Sequence, residues 1–91
     1  MEFAFDPDKS ASNLTKHGID FHEAKQLWTD QFAAVVDARS DSEPRSALIA
    51  QLNGKVWIAF HTQREGQTRL ISVRRARDNE ERIYYEGTKT R

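Results

Sequence analysis

The chain has no cysteine, which removes disulfide staples and thiolate metal sites. It has no apolar run of about 18 or more residues, so no membrane span is expected. No basic-then-apolar segment opens it, so no secretory signal is expected. No glycine-rich phosphate loop is present, which argues against a nucleotide-binding enzyme. The three histidines lack metal-site spacing such as His-Glu-x-x-His, so neither a metal nor another cofactor is expected. Net charge is also missing: 14 basic residues balance 14 acidic ones, which argues against a free-standing tight binder of polyanions. Together these absences favour a cytoplasmic protein.

What is present is one folded domain. The whole chain, residues 1–91, suits a single domain with a modest core. With 37% hydrophobic and 31% charged residues it reads as folded, not disordered. The charge is unevenly spread. Residues 1–63 carry six Lys/Arg against nine Asp/Glu, and residues 64–91 carry eight against five. The stretch Arg69-Leu70-Ile71-Ser72-Val73-Arg74-Arg75-Ala76-Arg77 holds four arginines and no acid. Guanidinium is permanently charged, and its forked donors fit phosphate oxygens. A solvated face with ordinary ion pairs is the alternative.

Periodicity and turn chemistry give the elements. Phe3-Ala4-Phe5 reads as a short strand. Asp6-Pro7 starts a helix that runs to about His17, stops at Gly18 and turns Ala11 and Leu14 to the core. Asp20 and Glu23 are spaced as a capping box for a second helix, whose Phe21, Ala24, Leu27 and Trp28 share a face. Phe32 to Val36, Arg45 to Leu52, Lys55 to Gln63 and Thr68 to Arg75 read as strands, with a polar loop from Asp37 to Pro44. Asn53-Gly54 signals a type I′ hairpin that pairs Ile49 with Ile58, Ala47 with Phe60 and Ser46 with His61. Ile49, Val56, Ile58 and Phe60 then share one face; Trp57, Ala59 and His61 share the other. Asp78 caps a last helix running to about Glu86, with Gly87 as its stop. The expected architecture is α+β: a short strand and two helices, a four-stranded antiparallel meander, and a C-terminal helix. Helices cover one face of the sheet, and the other face, bearing Trp57 and His61, stays partly open.

Two blocks of residues resemble a known family. Phe3-x-Phe5-Asp6-x-x-Lys9-x-x-x-Asn13-x-x-Lys16-His17-Gly18-Ile19-x-Phe21-x-x-Ala24 is similar to the opening signature of the BrnT toxins. Thr62-x-Arg64-x-Gly66-x-x-Arg69-Leu70-Ile71-Ser72-x-Arg74-x-Ala76, followed by Glu80 and Tyr84, resembles their closing strands and last helix. Phe5 stands where the family usually has Trp, and Ala50 where Gly is common. Ser42-Glu43-Pro44-Arg45 departs from the usual Tyr-Gly-Glu-Arg. The resemblance implies a RelE-like fold and a ribonuclease toxin that inhibits growth. It also implies a partner, a BrnA-type ribbon-helix-helix antitoxin, and contact with operator DNA only through that antitoxin.

Metal-free RNA cleavage needs a base for the 2′-hydroxyl proton, a cation at the phosphate and an acid for the leaving 5′-oxygen. Arg74 and Arg64 are the candidate clamps, expected to converge on one phosphodiester. Arg74 otherwise pairs with Glu80 or Glu81, and Arg64 is otherwise a solvated turn residue. His61 either moves a proton or bonds Ser46 across the hairpin. Glu80 either orients Arg74 or acts as a base. The resemblance points to Tyr84 for stacking or proton sharing; its alternative is packing. Arg69, Arg75 and Arg77 are candidate RNA contacts, the last two alternatively holding acidic residues of the antitoxin. Lys16 and His17 belong to the signature and are candidate RNA contacts, although His17 also suits the exposed carbonyls of a helix end. Trp57 or Trp28 is the candidate seat for the antitoxin. A non-catalytic RNA- or protein-binding module remains the second functional reading.

Overall fold

The computed structural model describes residues 1–38 and 44–89. Strand β1 (Phe3–Ala4) leads into helix α1 (Pro7–His17). Asp6 caps α1 by accepting the Asp8 N–H at 2.8 Å. Gly18 closes it at φ +80°, a backbone state that suits glycine, and donates its N–H to the Leu14 carbonyl. Asp20 accepts the Glu23 N–H at 2.8 Å and starts helix α2 (Phe21–Ala24), which tightens into a 3₁₀ segment, Lys25–Thr29. Strands β2 (Ala34–Asp37), β3 (Ser46–Leu52), β4 (Lys55–Arg64) and β5 (Gln67–Arg75) follow, then helix α3 (Asp78–Lys89).

Strands β2 to β5 form the expected meander, but the sheet has a fifth member. Its order is β1-β5-β4-β3-β2, and β1 lies parallel to β5, with Phe3 opposite Thr68 and Ala4 opposite Arg69. The sheet is therefore mixed. The hairpin register is as expected: Ile49 opposes Ile58, Ala47 opposes Phe60 and Ser46 opposes His61. Asn53 and Gly54 both take positive φ, at 53° and 80°, which the I′ turn requires. Between β4 and β5 the ladder slips. Phe60 pairs with Ser72 and His61 with Leu70, so Ile71 is the extra residue of a bulge.

Both faces of the sheet are covered, which corrects the expectation of an open face. On one side α1, α2 and the 3₁₀ segment bury Phe21, Ala24 and Leu27 against Leu48, Trp57 and Val73. On the other side α3 covers Ala47, Ile49, Val56 and Ile58 with Tyr84. The hairpin alternation holds, but Trp57 and His61 are buried at 8% and 5% exposure, so neither offers a surface. Trp28 sits partly buried on the same side, edge-on to the Phe3 ring at 5.1 Å.

Three further expectations change. The inward residues of α1 are Ser10 and Asn13, not Ala11 and Leu14; Leu14 is 47% exposed. The helix packs against backbone groups that need partners. Ser10 Oγ accepts the Phe21 N–H at 2.9 Å, and Asn13 bonds Ile19 and Val73. The cap of α3 is not Asp78. Arg77 O accepts the Glu81 N–H, and Glu80 reaches back to the Arg77 N–H at 2.8 Å. Gly87 does not end α3, which continues through Lys89. The strand expected from Phe32 begins at Ala34, after Asp30 Oδ1 accepts the Phe32 N–H in a tight turn. Most of the polar loop expected from Asp37 to Pro44 lies outside the described residues.

Candidate nucleic-acid interface

The candidate cations separate into two groups at opposite ends of β5. Arg74 pairs with Ile58, whereas Arg64 pairs with Gln67 at the far hairpin. Six residue steps along β4 separate those registers, roughly 20 Å of strand. The expected convergence of Arg64 and Arg74 on one phosphodiester is therefore not what the fold builds.

At the α3 end, Arg74 is paired. Its two terminal nitrogens donate to the two carboxylate oxygens of Glu80 at 2.8 and 2.9 Å. It also donates to the Arg75 carbonyl, and its guanidinium lies 5.4 Å from the Phe60 ring centre. The hydrogen bonds from Arg74 hold the Glu80 carboxyl below its usual range, helped by the Arg77 N–H and opposed by burial. A carboxylate spent on a guanidinium and a backbone amide is a poor proton acceptor. Arg75 lies over the Trp57 ring at 5.5 Å, and Arg77 is exposed at the start of α3.

His61 and Tyr84 lie in the interior. The Trp28 ring stands edge-on to His61 at 5.2 Å. His61 Nδ1 is 3.2 Å from the Ala59 carbonyl, which can only accept, so Nδ1 carries the proton. The cross-strand bond to Ser46 does not form. Burial pushes the His61 pKa down, and the Ala59 bond opposes this in part. Tyr84 is 3% exposed and donates its O–H to Asp30 Oδ2 at 2.7 Å. Asp30 Oδ2 also accepts the Gln51 N–H, so this tyrosine ties α3 to the edge of β3.

At the other end the cations gather around open space. A cleft of about 440 Å³ is lined by Lys9, Arg45, Thr62, Arg64, Arg69 and Ile71, with Pro44 and Gln63 completing its rim. A smaller one of about 170 Å³ is lined by Lys9, Lys16, His17, Ile71 and Ser72, with Ser12 and Asn13 on α1. Lys9 and Ile71 belong to both, so the two form a single groove between α1 and β5. Among the described residues, no carboxylate lines either part. Among the described residues, Lys9, Lys16, Arg64 and Arg69 form no ion pair. A third cleft, of about 400 Å³, adjoins at Arg45 and Thr62 but is walled by Val35, Val36 and Asp37 and breaks the run of positive charge.

The local sequence explains the groove. Lys9, Ser12, Asn13 and Lys16 recur at helical spacing and form one stripe of α1. Glu65 and Gly66 turn tightly, both at positive φ, and set Arg64 beside Gln67. The bulge at Ile71 interrupts the alternation of β5 next to Arg69. The structure thus unites Arg64, Arg69, Lys16 and His17 from the sequence-derived candidates and leaves out Arg74, Arg75, Arg77, His61, Glu80 and Tyr84. Lys9 and Arg45 are lining residues that sequence reasoning did not single out. Lys9 carried a signal, since it lies in the opening signature seven residues before Lys16.

Residues 5–80 match the family described as ribonuclease toxin, BrnT, of type II toxin-antitoxin system. The chain belongs to the BrnT family. A type II toxin implies an antitoxin partner and an RNA target. No curated protein matches the chain significantly. The two signature blocks of this BrnT member can now be read as structure. The first supplies α1, its caps and one wall of the groove. The second supplies the β4–β5 hairpin and the other wall. Among the described residues no helix is long and apolar enough to cross a membrane.

Proposed function

We propose that this chain is a RelE-like endoribonuclease that cleaves RNA in the groove between α1 and β5, and that this cleavage inhibits growth in the cytoplasm. The observation that carries the reading is a groove lined by Lys9, Lys16, His17, Arg45, Arg64 and Arg69 and, among the described residues, by no carboxylate. A run of cations with open space between them suits a phosphodiester backbone. Arg64 and Arg69 neutralise the charge that develops at phosphorus, a task worth most where donors are already in place. His17 is the imidazole within reach of the groove, so it exchanges protons with the 2′-hydroxyl or the leaving 5′-oxygen. The 2′-oxygen attacks phosphorus, the 5′-oxygen leaves with a proton, and a cyclic phosphate remains. Among the described residues no three His, Asp or Glu side chains gather to hold a metal ion. The reading gives charge neutralisation to guanidinium and ammonium groups. A BrnA-type ribbon-helix-helix antitoxin would neutralise the toxin and bring the pair to operator DNA.

The test uses purified protein and RNA in the presence of a chelator. Cleavage is expected, together with growth arrest on expression. Loss of both in an Arg64→Ala/Arg69→Ala variant that stays folded supports the groove. Undiminished cleavage by that variant rejects it.

One observation favours a second reading. Burial of His61 and Tyr84 and pairing of Glu80 take the expected proton carriers away from the groove, which keeps His17, expected only as an RNA contact. Binding of intact RNA with salt-dependent affinity and no cleavage would establish a non-catalytic module.

A further inference from the structure

We infer that Asn13 is the positioning residue that keeps the two walls of the groove in register; this rests on the RNA-binding reading of that groove. Asn13 is 6% exposed and uses its amide fully. Nδ2 donates to the Ile19 carbonyl at 2.8 Å and to the Val73 carbonyl at 2.9 Å. Oδ1 accepts the Val73 N–H at 3.1 Å. The pair of bonds to Val73 is what an adjacent strand would supply. Strand β1 pairs only with Thr68 and Arg69, so farther along β5 the edge needs another partner, and the Asn13 amide takes that place.

The position of this join matters. Asn13 lies four residues after Lys9 and three before Lys16, within about one turn of each on the same helix stripe. Its partner Val73 adjoins Ser72 and lies two residues from Ile71, which form the facing wall. Among the described residues, the side-chain hydrogen bonds from α1 to the sheet are those of Asn13, and packing contact alone is non-directional. It sets how close α1 lies but not how far it slides along β5. The bulge at Ile71 removes the regular ladder as a ruler on that stretch. Two directional bonds from one amide to Val73 restore it. They hold the cations of α1 opposite those of β5 before any ligand arrives. The Ile19 bond ties the same amide to the turn after Gly18, so the end of α1 that carries His17 is fixed as well.

The test is a double-mutant cycle on affinity for a single-stranded RNA oligonucleotide at low salt, under conditions where thermal unfolding shows every variant folded. Lys16→Ala is expected to weaken wild-type binding about tenfold, but less than about threefold in an Asn13→Ala background, because the displaced lysine no longer meets its phosphate. A residue that only stabilises the fold gives additive effects, and additivity overturns the inference. If Asn13→Ala does not fold, hydrogen exchange in the unaltered protein decides. Bound RNA that grips both walls slows exchange of the Val73 amide by about tenfold relative to amides of β3. Equal slowing in both places overturns the inference. A wild-type protein that binds no RNA rejects the groove reading itself, a result distinct from intact binding with additive effects.

Discussion

The two ends of strand β5 carry the same kind of charge in opposite circumstances. At one end Arg74 meets both oxygens of Glu80, lies over Phe60 and bonds a neighbouring carbonyl. At the other, Arg69 and the nearby Arg64 face a groove that, among the described residues, has no carboxylate in its lining. A guanidinium whose donors are already matched has little left for a ligand, and one whose donors face water pays less to bind a phosphate. The density of arginine therefore locates a strand rich in charge, whereas the distribution of its carboxylate partners separates a strut from a site.

The comparison is broken or upheld most decisively by paired substitutions. Replacing Arg64 and Arg69 with alanine should reduce RNA cleavage by about a thousandfold, with little change in melting temperature. Arg74→Ala should do the reverse: cleavage within about fivefold of wild type, and stability lower by about 1–2 kcal/mol, because Glu80 loses its partner in a half-buried place. Cleavage assays and denaturant titrations on both variants check this. A large loss of cleavage in Arg74→Ala at unchanged stability would reverse the assignment of the two ends.

Tyr84→Phe sharpens the same contrast on α3. Removing the O–H that reaches Asp30 should cost about 1–2 kcal/mol of stability and leave cleavage unchanged. A fall in cleavage without loss of stability would return Tyr84 to a chemical role.

Acid should weaken the strut before the groove. The Glu80 carboxyl is lowered from 4.5 chiefly by Arg74, so the folded form binds the proton less readily than the unfolded chain. Its contribution is full above that ordinary value and is lost as the pH falls through the lowered one. His61 is lowered from 6.5 by burial. The unfolded chain therefore takes up its proton first, and stability declines from about 6.5 downward until the buried ring also charges. Two declines on acidification are expected in unfolding experiments, the lower one diminished in Glu80→Gln. A profile flat from neutral pH to below the carboxylate range would contradict both.

The smallest effect is in salt. If Lys9, Lys16, Arg64 and Arg69 each meet a phosphate, the affinity for single-stranded RNA should fall with a log–log slope of about −3, and each alanine should flatten it by about 0.7. Lys55→Ala, on the β3–β4 hairpin away from the groove, should leave the slope unchanged.

Much of this fold was legible because its signals are local. Asn53-Gly54 with alternating apolar neighbours specifies a turn and therefore a register. Asp6, Gly18 and Asp20 are caps whose chemistry acts within a few residues. The unread parts depend on partners far along the chain. The pairing of Phe3 with Thr68 is set by packing across the whole domain. Ser10 and Asn13 look like surface residues until the amides and carbonyls they serve are known, and this is why α1 was expected to bury Ala11 and Leu14. The candidate site divided on the same line. Four arginines within nine residues could be counted, but the carboxylate that claims Arg74 comes from a helix whose start the same carboxylate caps. Arg64, Arg69, Lys16 and His17 were named singly, and only the α1–β5 contact makes them one surface.

The parallel pairing of β1 with β5 has a consequence for how the molecule comes into being. One wall of the groove is synthesised first and the other nearly last, so the segment holding Lys9 and Lys16 must wait for Val73 before Asn13 can join it to β5. On the proposed reading, a nascent chain lacks its RNA groove for most of its translation. It gains its grip only when the final strand emerges, which leaves an interval in which a neutralising partner can already be waiting.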